Sequence, residues 1–137
     1  MTDNRHLLHI GAPEGVAPAP VGGYSQVVAG SGRVVMVAGQ VAFDPQGELV
    51  GKGDIIAQAS QVFENLRGCL AAAGATFDDV VKLNVYVTDI GLLDAVRSIR
   101  SRYIKTDRPP ASTAVQVVAL AAPDFLVEID AMAIVGK

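Results

Sequence analysis

Few side chains in this chain carry reactive groups, and they are scattered along it. Glu128 and Asp130 stand two apart in a stretch, Leu126 to Val135, that alternates as a strand. Both carboxylates therefore share a face and point away from Val127 and Ile129. A carboxylate of suitable pKa can position a water and pass a proton, which is a hydrolase's work. The plainer alternative is a solvated acid on an edge strand. His6 and His9 are spaced i, i+3 but have no third ligand beside them, so metal binding is not expected. Cys69, the single cysteine, falls among the apolar positions of a helical pattern and reads as a small core residue. Gly51-Lys52-Gly53 lacks the spacing of a phosphate loop. Arg97, Arg100, Arg102, Lys105 and Arg108 concentrate positive charge and read as a solvated helix face. With Tyr103 the sole aromatic among them, they make a thin case for RNA.

The elements that must position these groups follow from periodicity. Residues 1–23 are rich in Pro and Gly and predict an irregular arm, ahead of a single domain over 24–137. Tyr24 to Ala29 and Arg33 to Phe43 are β-prone runs around Gly30-Ser31-Gly32, which predicts a hairpin. Asp54 to Ala73 carries apolar residues near a 3.6 spacing, with Asp54 as N-cap and Gly74 as stop. Val80 to Thr88 alternates as a half-buried strand, with Val81, Leu83, Val85 and Val87 on one side. A second helix is expected over Leu92 to Ile104, ending before Pro109-Pro110. Strands over Thr113 to Leu120 and Leu126 to Val135 close the order β-β-α-β-α-β-β. Both faces of these last strands are largely apolar, so both need cover. Two helices can cover only one face, and other subunits are expected to cover the opposite one.

Composition narrows the class. A chain of 137 residues is one domain by length, and half of it is apolar. The mean hydropathy is +0.37 and aromatics are 5%, so the core is built from aliphatic residues. A net charge of −3 argues against a general nucleic-acid or anionic-membrane binder. No apolar run approaches the ~20 residues of a membrane span, and no secretory leader is expected. A cytoplasmic protein is the simplest reading.

Five blocks of sequence then stand in one order. They are Ala17-Pro18-Ala19-Pro20-Val21-Gly22-Gly23-Tyr24-Ser25-Gln26; Ala38-Gly39-Gln40 with Asp44-Pro45 and Gly47-Glu48; and Gln58, Gln61, Asn65-Leu66 and Leu70 running into Ala73-Gly74-Ala75. Asp79 to Lys82 with Val85 to Asp89 makes the fourth, and Pro110-Ala111 with Val127-Glu128-Ile129-Asp130-Ala131 the fifth. Over most of the chain from about Ala17, these blocks resemble the RidA (YjgF/UK114) family. The resemblance implies a chorismate-mutase-like α+β fold and a homotrimer with a central barrel and active sites in the clefts between subunits. It also implies hydrolysis of 2-imino or 2-aminoacrylate species without metal or organic cofactor. Some family members carry an endoribonuclease label.

Carried over residue by residue, the resemblance gives Glu128 the acid–base role and places Tyr24 and Gly39 in the cleft. Tyr24 could equally be an ordinary strand-end tyrosine at a subunit seam, and Gly39 a matter of close strand packing. Three positions depart from the family pattern. Ser112 stands where an arginine grips the substrate carboxylate, Ala38 where a serine is common, and Gly91 where an asparagine is often seen. A charge-assisted bond is worth roughly 1.5–3 kcal/mol, so its loss weakens binding of a small 2-imino acid by two or more orders of magnitude. Serine donates one neutral bond and no charge. The expected substrate is therefore a neutral, cationic or larger small metabolite with a C–N bond, hydrolysed with Glu128 still activating water. The alternative from another class is a non-catalytic trimer that binds a small metabolite or a protein partner in the same clefts.

Overall fold

A computed structural model describes residues 6–20, 23–105 and 107–136. In chain order its elements are β1 (Leu7–Ile10), β2 (Val27–Gly30), β3 (Arg33–Gln40), α1 (Ile55–Ala72), β4 (Val80–Val87), α2 (Leu93–Arg100), β5 (Ala111–Gln116) and β6 (Val127–Val135). The fold is α+β. β1 and β2 form a two-stranded sheet, and the other four strands form a second sheet in the order β3-β6-β4-β5. β6 is antiparallel to both of its neighbours, and β5 runs parallel to β4.

Local chemistry sets the boundaries of α1. The Asp54 carboxylate accepts from the Ala57 amide at 3.1 Å, satisfying an N–H that the first turn leaves free. At the other end the Ala75 amide bonds back to Leu70 and the Gly74 amide to Ala71. Gly74 adopts φ +75°, the left-handed conformation this closing motif requires. Along the helix, Ala59, Val62, Phe63, Leu66 and Leu70 are fully buried against the sheet. Each of the larger ones contributes about 1.5–3 kcal/mol by leaving water. In β4, Leu83, Val85 and Val87 turn to the same core, as the alternation predicts. Cys69 packs at its edge.

Gln58 is the buried polar exception in α1. Its amide nitrogen donates to the carbonyls of Gly51 at 3.1 Å and Asp124 at 2.9 Å. Its oxygen accepts from the Leu126 amide at 2.9 Å. One fully buried side chain thus ties the helix start to the segment entering β6.

Four expectations need correction. The arm is not wholly irregular, because Leu7–Ile10 pairs with Val27–Gly30, and His6 Nε2 bonds the Ile134 carbonyl at 2.7 Å. Arm residues 1–5 and Val21 and Gly22 lie outside the described residues. The hairpin does not form: β2 joins β1 while β3 joins β6, and Gly30-Ser31-Gly32 carries the chain from one sheet to the other. A Gly-rich turn records a change of direction, not which strand edge is taken next. α2 is also shorter than expected. Ile90–Leu92 forms a separate 3-10 turn in which the Asp89 carboxylate accepts from the Gly91 amide, and beyond Arg100 the chain continues in single turns. Finally, β5 spans Ala111–Gln116 rather than Thr113 to Leu120, because β4 ends at Val87 and the Val117 amide makes the last bond to it.

Both helices lie on one face of the larger sheet. The opposite face is open and has two halves. Val34 and Met36, 58% and 73% exposed, share the apolar half with Met132 and Ile134. The polar half carries Asn84, Tyr86, Glu128 and Asp130. No helix among the described residues is long and apolar enough to cross a membrane.

Candidate functional site

The expected site residues fall on two surfaces. The first is built where the chain entering β2 meets β5. The Ser25 amide bonds the Pro110 carbonyl at 3.0 Å, and its hydroxyl donates to Pro109 at 2.6 Å. Ser25 also bridges to Ala111 in parallel register. These bonds bring Tyr24 beside Ser112. Ser112 stands opposite Leu83 of β4, so its side chain faces the helix side. Tyr24, Ser112 and Ala114 line a cavity of 630 Å³ whose other wall is α2, with Leu93, Val96, Arg97 and Arg100.

The second surface is the polar half of the open face. Between Val37 and Gln40 the pairing of β3 with β6 slips by one residue, a bulge that contains Ala38 and Gly39. Bulges re-aim the strand locally. Here the bulge sets Gly39 directly against the Glu128 side chain, so closely that a Cβ on Gly39 would collide with the carboxylate.

The two acids of this face differ in their surroundings. Asp130 accepts from Asn84 Nδ2 at 2.8 Å and from the Tyr86 hydroxyl at 3.2 Å. Glu128 has no hydrogen bond or ion pair among the described residues. The Tyr86 phenol is held above its ordinary pKa, first by the Asp130 charge, then by desolvation, its bond to Asp130 and the Glu128 charge. Asp130 is thus committed to its neighbours, and Glu128 is the carboxylate left to act on something else.

A single chain does not bring the two groups together. Tyr24 and Ser112 line the cavity; Glu128, Ala38 and Gly39 lie on the far face of the sheet. Gly91 belongs to neither. It is exposed in the 3-10 turn, with its amide on Asp89 Oδ1 at 2.8 Å. Among the described residues no group of three or more His, Cys, Asp or Glu side chains is placed to hold a metal ion.

The cavity also corrects the reading of the basic cluster. Arg97 and Arg100 are not on a uniformly solvated face, since both line the cavity and Arg100 is half-buried. The signal was available: Leu93, Val96, Arg97 and Arg100 have the i, i+3, i+4, i+7 spacing of one helix face. Burial, and then the Arg97 charge, lower the Arg100 guanidinium from its ordinary pKa. Two other arginines lie elsewhere. Arg33 is bonded to the Ala73 carbonyl at 2.7 Å, and neither it nor Arg108 lines the cavity.

The model of the endoribonuclease L-PSP family matches residues 14–135. The chain belongs to this family. Among its relatives within the endoribonuclease L-PSP family, protein DfrA of Myxococcus xanthus is 41% identical over 119 residues, covering 86% of this chain and 89% of DfrA. A human relative named 2-iminobutanoate/2-iminopropanoate deaminase is 37% identical over 120 residues, covering 88% of this chain and 85% of that protein. The solved structure of the Rid-family protein YyfB from Yersinia pestis superposes with a TM-score of 0.82 at 38% identity. That match covers 95% of this chain and 99% of YyfB. The RidA-type fold expected from the five blocks is therefore the fold of this chain.

Proposed function

We propose that this endoribonuclease L-PSP family protein hydrolyses the C–N bond of a small imine or enamine in clefts between the subunits of a homotrimer, with Glu128 as the acid–base group. The observation that carries the reading is the unbonded Glu128 carboxylate, held against the Gly39 backbone beside an Asp130 that is already engaged. The named activity of the human relative supports it.

The location of the two surfaces supports assembly. The cavity and the Glu128 surface lie on different faces of one chain. A contact that sets one face of each subunit against a different face of the next closes a ring when repeated around an axis. Such a ring covers Val34 and Met36, and it places the Glu128 of one subunit toward the Tyr24–Ser112 cavity of its neighbour.

The chemistry balances without a further reactant. Water adds across the C=N bond, hydroxyl to carbon and proton to nitrogen, with Glu128 taking the water proton and passing one to nitrogen. The carbinolamine then loses ammonia as its hydroxyl proton leaves, and a carbonyl product remains. An enamine first takes a proton on carbon to become the imine.

The test is hydrolysis of a panel of imines, generated in place by an amino-acid oxidase and timed against the uncatalysed reaction, for wild type and Glu128→Gln. Wild-type acceleration that drops by ~100-fold or more in the variant is the expected result. Equal rates overturn the role of Glu128. If wild type binds ligands but accelerates nothing, the cleft is a binding site without turnover.

A further inference from the structure

We infer that Arg100 provides the anion grip that Ser112 cannot, and that the cleft takes a carboxylate-bearing ligand with an apolar body. This deepens the hydrolase reading and rests on it only for which molecule is turned over.

Position matters first. Arg100 lies two turns after Leu93 on the α2 face that walls the cavity, opposite Ser112 and Ala114 of β5. The guanidinium is therefore presented from the helix wall, whereas an arginine at position 112 would present one from the strand wall. Serine at 112 clears the space between them.

The charge balance of the wall comes next. Arg100 has no carboxylate partner among the described residues. Its charged neighbour is another cation, Arg97. The one acid on this wall, Asp94, is 96% exposed and reaches Arg97 at 3.4 Å, leaving Arg100 uncompensated. A half-buried cation beside a like charge is better held when an anion completes the set. A guanidinium meets a carboxylate through two parallel bonds, a geometry an ammonium cannot offer. Around it, Leu93, Val96, Val85 and Ala114 offer apolar wall, and the Tyr24 and Ser112 hydroxyls offer neutral bonds. At 630 Å³ the cavity is the size of pockets that enclose whole metabolites, well beyond a three-carbon acid. The ligand class that fits is a 2-imino or 2-oxo carboxylate with a branched or aromatic side chain, contrary to the neutral or cationic ligand that Ser112 alone suggests.

The experiment is calorimetric titration of the full chain with 4-methyl-2-oxopentanoate, its uncharged amide, pyruvate and inorganic phosphate, for wild type, Arg100→Met and Arg100→Lys. The expected pattern has wild type preferring the branched acid over its amide and over pyruvate. Arg100→Met weakens the acid by ~10–100-fold, the range of a charge-assisted pair, and leaves the amide unmoved. Arg100→Lys, which keeps the charge and loses the fork, falls between and serves if the methionine variant does not fold. Equal binding of acid and amide overturns the inference, as does acid binding unchanged in both variants, absence of acid binding by wild type, or tighter binding of phosphate. Because the readout is binding, the two readings separate. Arg100-dependent acid binding without imine hydrolysis removes the hydrolase reading alone, whereas Glu128-dependent hydrolysis indifferent to Arg100 removes this inference alone.

Discussion

The Glu128 carboxylate occupies the space that a Cβ at position 39 would need, so Gly39 and Glu128 are fitted to one another. Gly39→Ala must push the carboxylate away or shift the β3 bulge. Turnover of an accepted imine is expected to fall about 100-fold, the effect of a displacement of roughly an ångström at a reacting group. Glu128→Gln in the same background should add little, because both changes act on one group. Additive losses in that double-mutant cycle would mean that Gly39 acts independently of Glu128.

Gln58→Leu keeps the size of a fully buried side chain and strands two backbone groups, the carbonyl of Asp124 and the amide of Leu126, while the Gly51 carbonyl keeps its bond from the Asp54 amide. Urea unfolding should show a loss of about 2–5 kcal/mol, the scale of two buried polar groups left without partners. A loss below about 1 kcal/mol would mean that water replaces the amide.

Met36 is 73% exposed on the apolar half of the open face. Met36→Glu puts a charge where a neighbouring subunit is proposed to sit. Light scattering should give a trimer for wild type and a lower mass for the variant. A wild-type protein that is monomeric at micromolar concentration would remove the ring and, with it, the joined cleft.

Tyr86 supplies a pH signature. Its phenol pKa is raised in the folded chain, so the protonated form is the one folding favours. That stabilisation is complete below the unfolded value of about pH 10 and is lost as the pH rises through the higher folded value. Asp130→Asn removes the largest cause. Tyrosinate absorbance, referenced to Tyr86→Phe, should then show Tyr86 ionising at lower pH than in wild type. An unmoved titration would mean that Asp130 does not control the phenol.

Much of the architecture was legible because apolar periodicity reports burial directly. The alternation at Val81, Leu83, Val85 and Val87 and the Asp54 and Gly74 boundaries of α1 each depend on neighbours close in sequence. What stayed hidden depends on partners distant in sequence. Leu7–Ile10 becomes a strand only because β2 offers it an edge, and β3 turns from β2 to β6 for the same reason. The bulge at Ala38–Gly39 exists only relative to β6. The division of labour between Glu128 and Asp130 is set by Asn84 and Tyr86 from β4, more than 40 residues away. The spacing of Arg100 from Leu93 and Val96 put it on their side of α2, but that β5 and Tyr24 leave a cavity against that side depends on pairings distant in sequence.

The three bonds of Gln58 have a consequence beyond stability. The amide of Leu126 is fastened one residue before β6 begins, and strand side chains alternate with a period of two. A slip of one residue at that point would send Val127 and Ile129 outward and fold Glu128 into the aliphatic interior. Helix α1, which lends the site only the Phe63 ring on the cavity wall and nothing reactive, therefore decides which way the acid faces. A lesion there would be read in an assay as a lost catalyst, although every reactive atom were still present in the chain.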